Sequence, residues 1–294
     1  MALWHDRAGR VSRLKIATLV AMSVPAVLLG ADAVLGGLGA RPFDEAIHRS
    51  GDWAIRILTV SLAVSPAIRI LSYPRLISVR RMLGVSALAY LLLHVGLYIA
   101  DQGFDLPKVA SEVVLRTYLT IGFVALVILA ALGATSFDGM VRRLGRRWNH
   151  LHMLVYPAAA LGAVHFFMQT KIQAYEASLI AGFLLVLGMY RLAAKRRMSL
   201  TSPLVLAAIA VAGGLLTAGV EALWFWAGTS VPPLRVLEAN LMLPDTIRPA
   251  WWVLAAGLAV ALLPLLLTPL RRRIRAGTRS TAERTAERTV ERTA

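Results

Sequence analysis

The chain has 294 residues, of which 57% are hydrophobic and only 16% charged, and its mean hydropathy is +0.65; soluble domains carry roughly 25% charged residues, so a water-soluble globular protein is excluded. The formal charge of +16 does not mark a nucleic-acid binder, because the Lys and Arg fall in clusters between apolar runs. The chain contains no cysteine, which excludes disulfides, thiolate metal sites, iron–sulfur clusters and covalent c-type haem attachment.

A membrane-crossing helix needs about 20 apolar residues to span about 30 Å of hydrocarbon. Eight segments qualify: 14–36, 53–72, 82–100, 117–136, 149–169, 174–193, 203–227 and 249–270. The first follows Arg7, Arg10, Arg13 and Lys15 and has no convincing cleavage site, so it reads as a retained helix, not a signal peptide. Pro203, Pro264 and Pro269 predict kinks or ragged ends in the last pair.

The loops alternate in charge. Arg69, Arg75, Arg80 and Arg81 flank the second, Arg142, Arg143, Arg146 and Arg147 fill the fourth, and Lys195, Arg196 and Arg197 follow the sixth helix. Arg271, Arg272, Arg273 and Arg275 follow the eighth. The intervening loops hold most of the acids: Asp44, Glu45, Asp101, Asp105, Glu112, Glu176, Glu238 and Asp245. Positive residues favour the cytoplasmic side, which places both termini there, as an even number of crossings requires. The tail TAERTAERTVERTA repeats with a period of four, has no apolar face, and reads as a solvated segment that could also touch anionic lipid.

Six histidines occur in the chain. His5 and His48 lie outside the predicted helices and carry no assigned role. His94 is deep in the third helix, where an ionisable side chain is expensive and is a functional candidate by default; the bland alternative is a neutral His bonded to a neighbouring helix. His94 stands seven residues before Asp101, and His165 six before Lys171, each toward the outer end of its helix. The third and fifth helices run in the same direction, so at about 1.5 Å per residue both imidazoles reach nearly the same depth. Two neutral imidazoles at one depth can clamp a flat metal macrocycle between helices. Without cysteine, noncovalent b-type haem is the natural choice.

His152 lies thirteen residues before His165 and about 20 Å nearer the cytoplasm, where it could hold a second haem. On a straight helix the two side chains would point about 140° apart, against about 60° for His150. Pro157 can bend the segment, so spacing does not choose between His150 and His152. Arg80 and Arg81 stand at the matching depth of the third helix, so these two helices cannot assemble a second histidine pair. The arginines at 142, 143, 146 and 147 read as anchors, or as holders of a phosphate or propionate. Trp148, Tyr156, Tyr98 and Trp53 suit interfacial or core packing equally.

Four stretches then carry a resemblance: GARPFDEAIHRSGDWAIRILTVSLAVSPAIRI, SVRRMLGVSALAYLLLHVGLY, LRTYLTIGFVALVILAALGATS and RRWNHLHMLVYPAAALGAVHFF. In this order they resemble the MsrQ family, the haem-binding membrane subunit of the protein-methionine-sulfoxide reductase system, within the ferric-reductase-like transmembrane group. The likeness runs from about residue 14 to about 197. It implies haem ligation by His94, His165 and His152, the last with Leu151, Val155 and Tyr156 around it, so it favours His152 over His150. It further implies a six-helix inner-membrane b-type cytochrome, FMN, and a quinone or cytoplasmic flavin reductase as donor. The acceptor it implies is a periplasmic molybdopterin enzyme reducing methionine sulfoxide in oxidised proteins.

The expected architecture is therefore all-α: a polytopic bundle with a cytoplasmic N-terminus (1–13), a haem-binding membrane domain (14–197), an added two-helix hairpin (198–272) and a cytoplasmic tail (273–294). The added helices depart from the family pattern and could reshape the docking face for a partner. Two other functions compete. A stand-alone ferric-reductase-type b cytochrome would serve another acceptor; the chain has no Gly-rich nucleotide fingerprint and so is not itself a complete NAD(P)H-driven reductase. A proton-coupled transporter would use His94 and His165 as a relay, but no convincing internal repeat is evident and the central helices lack paired Gly/Pro breaks.

Overall fold

A computed structural model describes residues 4–5, 9–170, 173–242 and 247–267. Among these the fold is helical, with one isolated bridge between His5 and Val11. The helices are α1 (Arg13–Leu35), α2 (Pro42–Leu71), α3 (Ile77–Asp101), α4 (Leu106–Leu115), α5 (Thr117–Ala134), α6 (Asp138–Leu144), α7 (Arg146–His152), α8 (Val155–Thr170), α9 (Tyr175–Lys195), α10 (Pro203–Thr229) and α11 (Pro233–Leu241). The last is α12 (Pro249–Leu267). Eight segments are long and apolar enough to cross a membrane, and the chain is a multi-pass membrane protein. Arg7, Lys171, Asp245, Pro269, the basic run at 271–275 and the A-E-R-T tail lie outside the described residues.

Local chemistry sets the helix ends. Ser12 caps α1 by accepting from the Lys15 amide, and Gly36 closes it at φ 76°, the left-handed conformation glycine adopts without a Cβ clash. Pro42 begins α2, with Asp44 and Glu45 in its first turn, where carboxylates complement the helix dipole.

Three expectations need correction. The second span begins about eleven residues earlier than expected, so the first outer loop is helical and His48 lies on α2, its Nδ1 2.7 Å from the Asp44 carbonyl. Pro203 starts α10 instead of kinking it, since its missing N–H is no loss at a first helical position. The fifth span is not continuous: turn residues Met153 and Leu154 separate α7 from α8. Pro157 has no N–H for the Met153 carbonyl and crowds it, so the helix breaks there, and angles computed along one straight helix do not apply.

The second span is the hub. Ile57, Leu58 and Leu62 of α2 join Leu83 and Tyr90 of α3, Val186 and Leu187 of α9, Leu206 and Ile209 of α10, and Val253 and Ala261 of α12 in one buried cluster. The two added helices thus share the core. Glycines bring them close: a Cβ on Gly257 would stand 2.6 Å from the Ala210 Cβ, the small-residue contact typical of membrane helices. By contrast α1 buries only Pro25. One end of the bundle gathers Arg69, Arg75, Arg80, Arg81 and the arginines of α6 and α7; the other gathers the acids near 44–45, 101–112, 176 and 238.

Candidate functional site

His94 on α3 and His165 on α8 face each other, their ring centroids 6.3 Å apart and their planes nearly perpendicular at 85°. Each ring is tied in the same way. His94 Nδ1 lies 2.8 Å from the Ile47 carbonyl of α2, and His165 Nδ1 lies 2.8 Å from the Tyr118 carbonyl of α5. A carbonyl only accepts, so both Nδ1 atoms carry the proton and donate, which leaves each Nε2 with its lone pair. In both cases the carbonyl comes 47 residues before the histidine, and a glycine follows that carbonyl by one helical turn. A Cβ on Gly51 would stand 2.9 Å from His94 Nδ1, and one on Gly122 would stand 2.8 Å from His165 Nδ1. Only glycine lets the ring lie that close to the neighbouring backbone.

The two devices are related by chain direction. From α2 to α3, and again from α5 to α8, a descending helix supplies a carbonyl and a glycine while the returning helix supplies the imidazole. Two such units side by side present their Nε2 lone pairs to a shared space. That space is a slot of about 500 Å³, walled by apolar residues such as Leu58, Leu91, Val95, Leu126 and Leu129.

Two imidazoles binding one metal ion through Nε2, at about 2 Å each and about 1 Å from nitrogen to ring centre, would put their centroids about 6 Å apart. The observed 6.3 Å fits that arrangement. Among the described residues no cluster of three or more His, Cys, Asp or Glu could hold a bare metal ion. The donor set therefore suits a metal whose remaining ligands come from its own macrocycle.

The acidic-end mouth of the slot is covered by α4, which lines it with Leu106, Val109 and Val113. Tyr98 donates to Glu112 of this helix, and Arg116 pairs with the same carboxylate at 3.0 Å. Arg116 also reaches the Tyr118 hydroxyl at 3.3 Å. From the sequence this segment is expected to be a loop, with Glu112 one of its acids and Tyr118, Gly51 and Gly122 not singled out. A signal for α4 was present: Asp105 caps it, accepting from the Lys108 amide at 2.9 Å, with Pro107 in the first turn.

His152 and His150 sit apart from the pair, on α7. His152 is half-buried, stacked on Trp148 at 3.9 Å, with Nε2 3.1 Å from Thr135 Oγ1. Trp148 Nε1 donates to the Thr135 carbonyl at 2.9 Å. His150 is exposed, its Nδ1 3.3 Å from the Arg146 carbonyl. Thus the two histidines, inseparable by spacing, differ plainly in environment. Arg81 pairs with Asp138 at 2.6 Å at the same end. His5 lies outside the spans, in the bridge to Val11.

The fold and the paired histidines define a membrane helix bundle of the ferric-reductase-like type, and residues 50–163 match the family model described as ferric reductase like transmembrane component. Among curated proteins, the protein-methionine-sulfoxide reductase heme-binding subunit MsrQ of Rhodospirillum rubrum is 42% identical over 203 residues, covering 68% of this chain and 95% of that one. The subunit of the same name from Deinococcus radiodurans is 42% identical over 178 residues, covering 60% and 88%. That from Brucella anthropi is 41% identical over 170 residues, covering 58% and 77%. The chain belongs to the MsrQ family. No solved structure matches it.

Proposed function

We propose that this chain is the haem-binding, electron-transferring membrane subunit of a methionine sulfoxide reductase system. The observation that carries this reading is the facing pair His94 and His165, with both Nδ1 atoms committed to backbone carbonyls and the centroids 6.3 Å apart. These two residues would hold a haem, which supplies a one-electron couple when bound. The absence of cysteine excludes c-type attachment, and b-type haem is the noncovalent choice this reading takes. The apolar slot walls exclude water from the site, and the carbonyl–glycine supports hold both imidazoles in the tautomer a metal needs.

The positive-inside rule puts the basic end and both termini in the cytoplasm of a bacterial inner membrane. Electrons would enter at that end, from a quinone or a cytoplasmic flavin reductase, and leave at the acidic, periplasmic end beneath α4. The acceptor would be a molybdopterin-containing reductase subunit that repairs oxidised methionine. His152, half-buried against Trp148 near the basic end, is the candidate ligand of a second haem, and the family resemblance adds FMN. In domain terms, 14–197 would form the cofactor-binding unit and 198–272 an added pair of helices.

The test is haem quantitation and the reduced-minus-oxidised spectrum of the purified chain. The wild type should show a b-type α band, and His94→Ala and His165→Ala should each lose the haem held by the pair. Full haem content in either variant overturns the assignment.

A further inference from the structure

A second concave site lies at the basic end, further along α2 from the histidine slot. It encloses about 340 Å³ between the C-terminal ends of α2 and α9 and the start of α8. Three cations line it: Arg69, Arg191 and Lys195, with Tyr156 and Tyr190 beside them and no acid among the lining residues. Arg191 is fixed in place. Its Nε donates to the Tyr156 hydroxyl at 2.9 Å, its Nη1 to the Leu187 carbonyl at 3.0 Å and its Nη2 to the Leu62 carbonyl, and it lies 5.0 Å over the Tyr156 ring. Tyr190 is only 4% exposed, yet its hydroxyl is buried with no hydrogen-bond partner.

Each of these features is costly by itself. A buried hydroxyl without a partner loses its hydration uncompensated. Converging cations repel, and three around one concavity attract an anion. A tetrahedral oxyanion answers both, because its several acceptor oxygens can take donors from a guanidinium, an ammonium and a phenol together. The site also sits where two spans end, at Leu71 and Lys195, which is headgroup depth; basic pockets between membrane helices bind anionic headgroups there.

We propose that this pocket binds a phosphate ester, with Arg69 and Lys195 as its charge partners and the Tyr190 hydroxyl as a neutral donor to the same group. The source is either an anionic phospholipid headgroup or a soluble phosphomonoester, and both offer the same oxygens. Binding of its ligand is read separately from haem content.

The experiment uses the full chain in phosphatidylcholine nanodiscs, with and without phosphatidylglycerol, and in phosphatidylcholine discs titrated with glycerol 3-phosphate; native mass spectrometry counts the bound probe. The variants are Arg69→Gln/Lys195→Gln, Tyr190→Phe, and Arg75→Gln as a charge removed from the same end outside the pocket. The double variant should bind at least about tenfold less of one probe, since two charge-assisted bonds are lost, and Arg75→Gln should bind normally. Loss confined to phosphatidylglycerol supports the lipid source; loss confined to glycerol 3-phosphate supports the soluble one. Tyr190→Phe keeps the ring and should weaken the same probe several-fold. Equal loss in Arg75→Gln and the double variant, or unchanged binding of both probes in the double variant and in Tyr190→Phe, overturns the proposal.

Discussion

Gly122→Ala tests the histidine pair without touching a histidine. The added Cβ would lie 2.8 Å from His165 Nδ1, 2.9 Å from Cε1 and 3.2 Å from Cγ, so the whole near edge of the ring is in the way. Restoring ordinary contact at 3.4 Å means moving the ring by about 0.6 Å, roughly three times the ~0.2 Å tolerance on metal–ligand distances. The ring cannot simply rotate away, because Nδ1 is bonded to the Tyr118 carbonyl at 2.8 Å. Two losses follow. Overpacking costs about 1–3 kcal/mol, and breaking the Nδ1 bond removes the interaction that orients the ligand, which in metal sites typically lowers affinity about 10–100-fold.

Haem affinity of Gly122→Ala should therefore fall by about one to two orders of magnitude, with the α band shifted or broadened in whatever haem is retained. Gly51→Ala should act alike through His94, whose Nδ1 would lie 2.9 Å from the new Cβ. Gly96→Ala is the control. It lies on α3 two residues from His94 and would meet nothing within 4 Å, so haem affinity should be unchanged. The assay is haem titration of the apoprotein with an optical redox titration of the loaded form. Wild-type affinity, spectrum and midpoint potential in Gly122→Ala would refute the claim that the carbonyl–glycine support positions the ligand.

Three further outcomes follow from other contacts. His152→Ala should lower haem content or slow electron entry, whereas the exposed His150→Ala should change neither; equal behaviour of the two in stopped-flow reduction would count against the environment-based distinction. Glu112→Gln weakens the contacts that hold α4 to Tyr98 and Arg116; a loss of about 1 kcal/mol corresponds to roughly fivefold faster amide exchange across Leu106–Leu115, and unchanged exchange there would show that α4 is held by its apolar face alone. Glu221→Ala removes a side chain 3% exposed that accepts from Asn240 at 2.8 Å and Arg248 at 3.0 Å. Because Arg248 is itself one-third exposed, the loss should be about 1–3 kcal/mol, read as a lower unfolding temperature with haem content intact; an unchanged temperature would place that network outside the stability of the fold.

The sequence makes the membrane class, the number of spans and the common depth of His94 and His165 readable, because each rests on apolar run length or on rise per residue. Both are one-dimensional quantities. What stays hidden depends on rotation and on contacts between helices. Spacing leaves His150 and His152 open, since what distinguishes their surroundings is a break at Met153–Leu154 and a stacking contact with Trp148. Gly51 and Gly122 are two glycines among 22, and only the neighbouring imidazole marks them out. Arg69, Tyr190 and Lys195 converge from two helices far apart in the chain, and no local pattern announces that meeting.

The paired geometry also explains why two histidines meet face to face. If a helix hairpin presents one imidazole across a carbonyl and a glycine, a second hairpin with the same chain direction, turned about an axis along the bundle, presents another toward it. The equal 47-residue separations of Ile47 from His94 and Tyr118 from His165 express that relation in the sequence. It is a repeat of the parallel kind, with both units crossing in the same order, and so differs from the inverted repeats of alternating-access transporters. A transporter needs its two halves to rock about the site. Here α2, which carries Ile47 and Gly51, is also the hub of the common core with Ile57, Leu58 and Leu62, so moving one support past the other would tear that core. A fixed pair of imidazoles is the arrangement that the proposed electron-transfer role requires, and a relay that must reorient at each turnover is not.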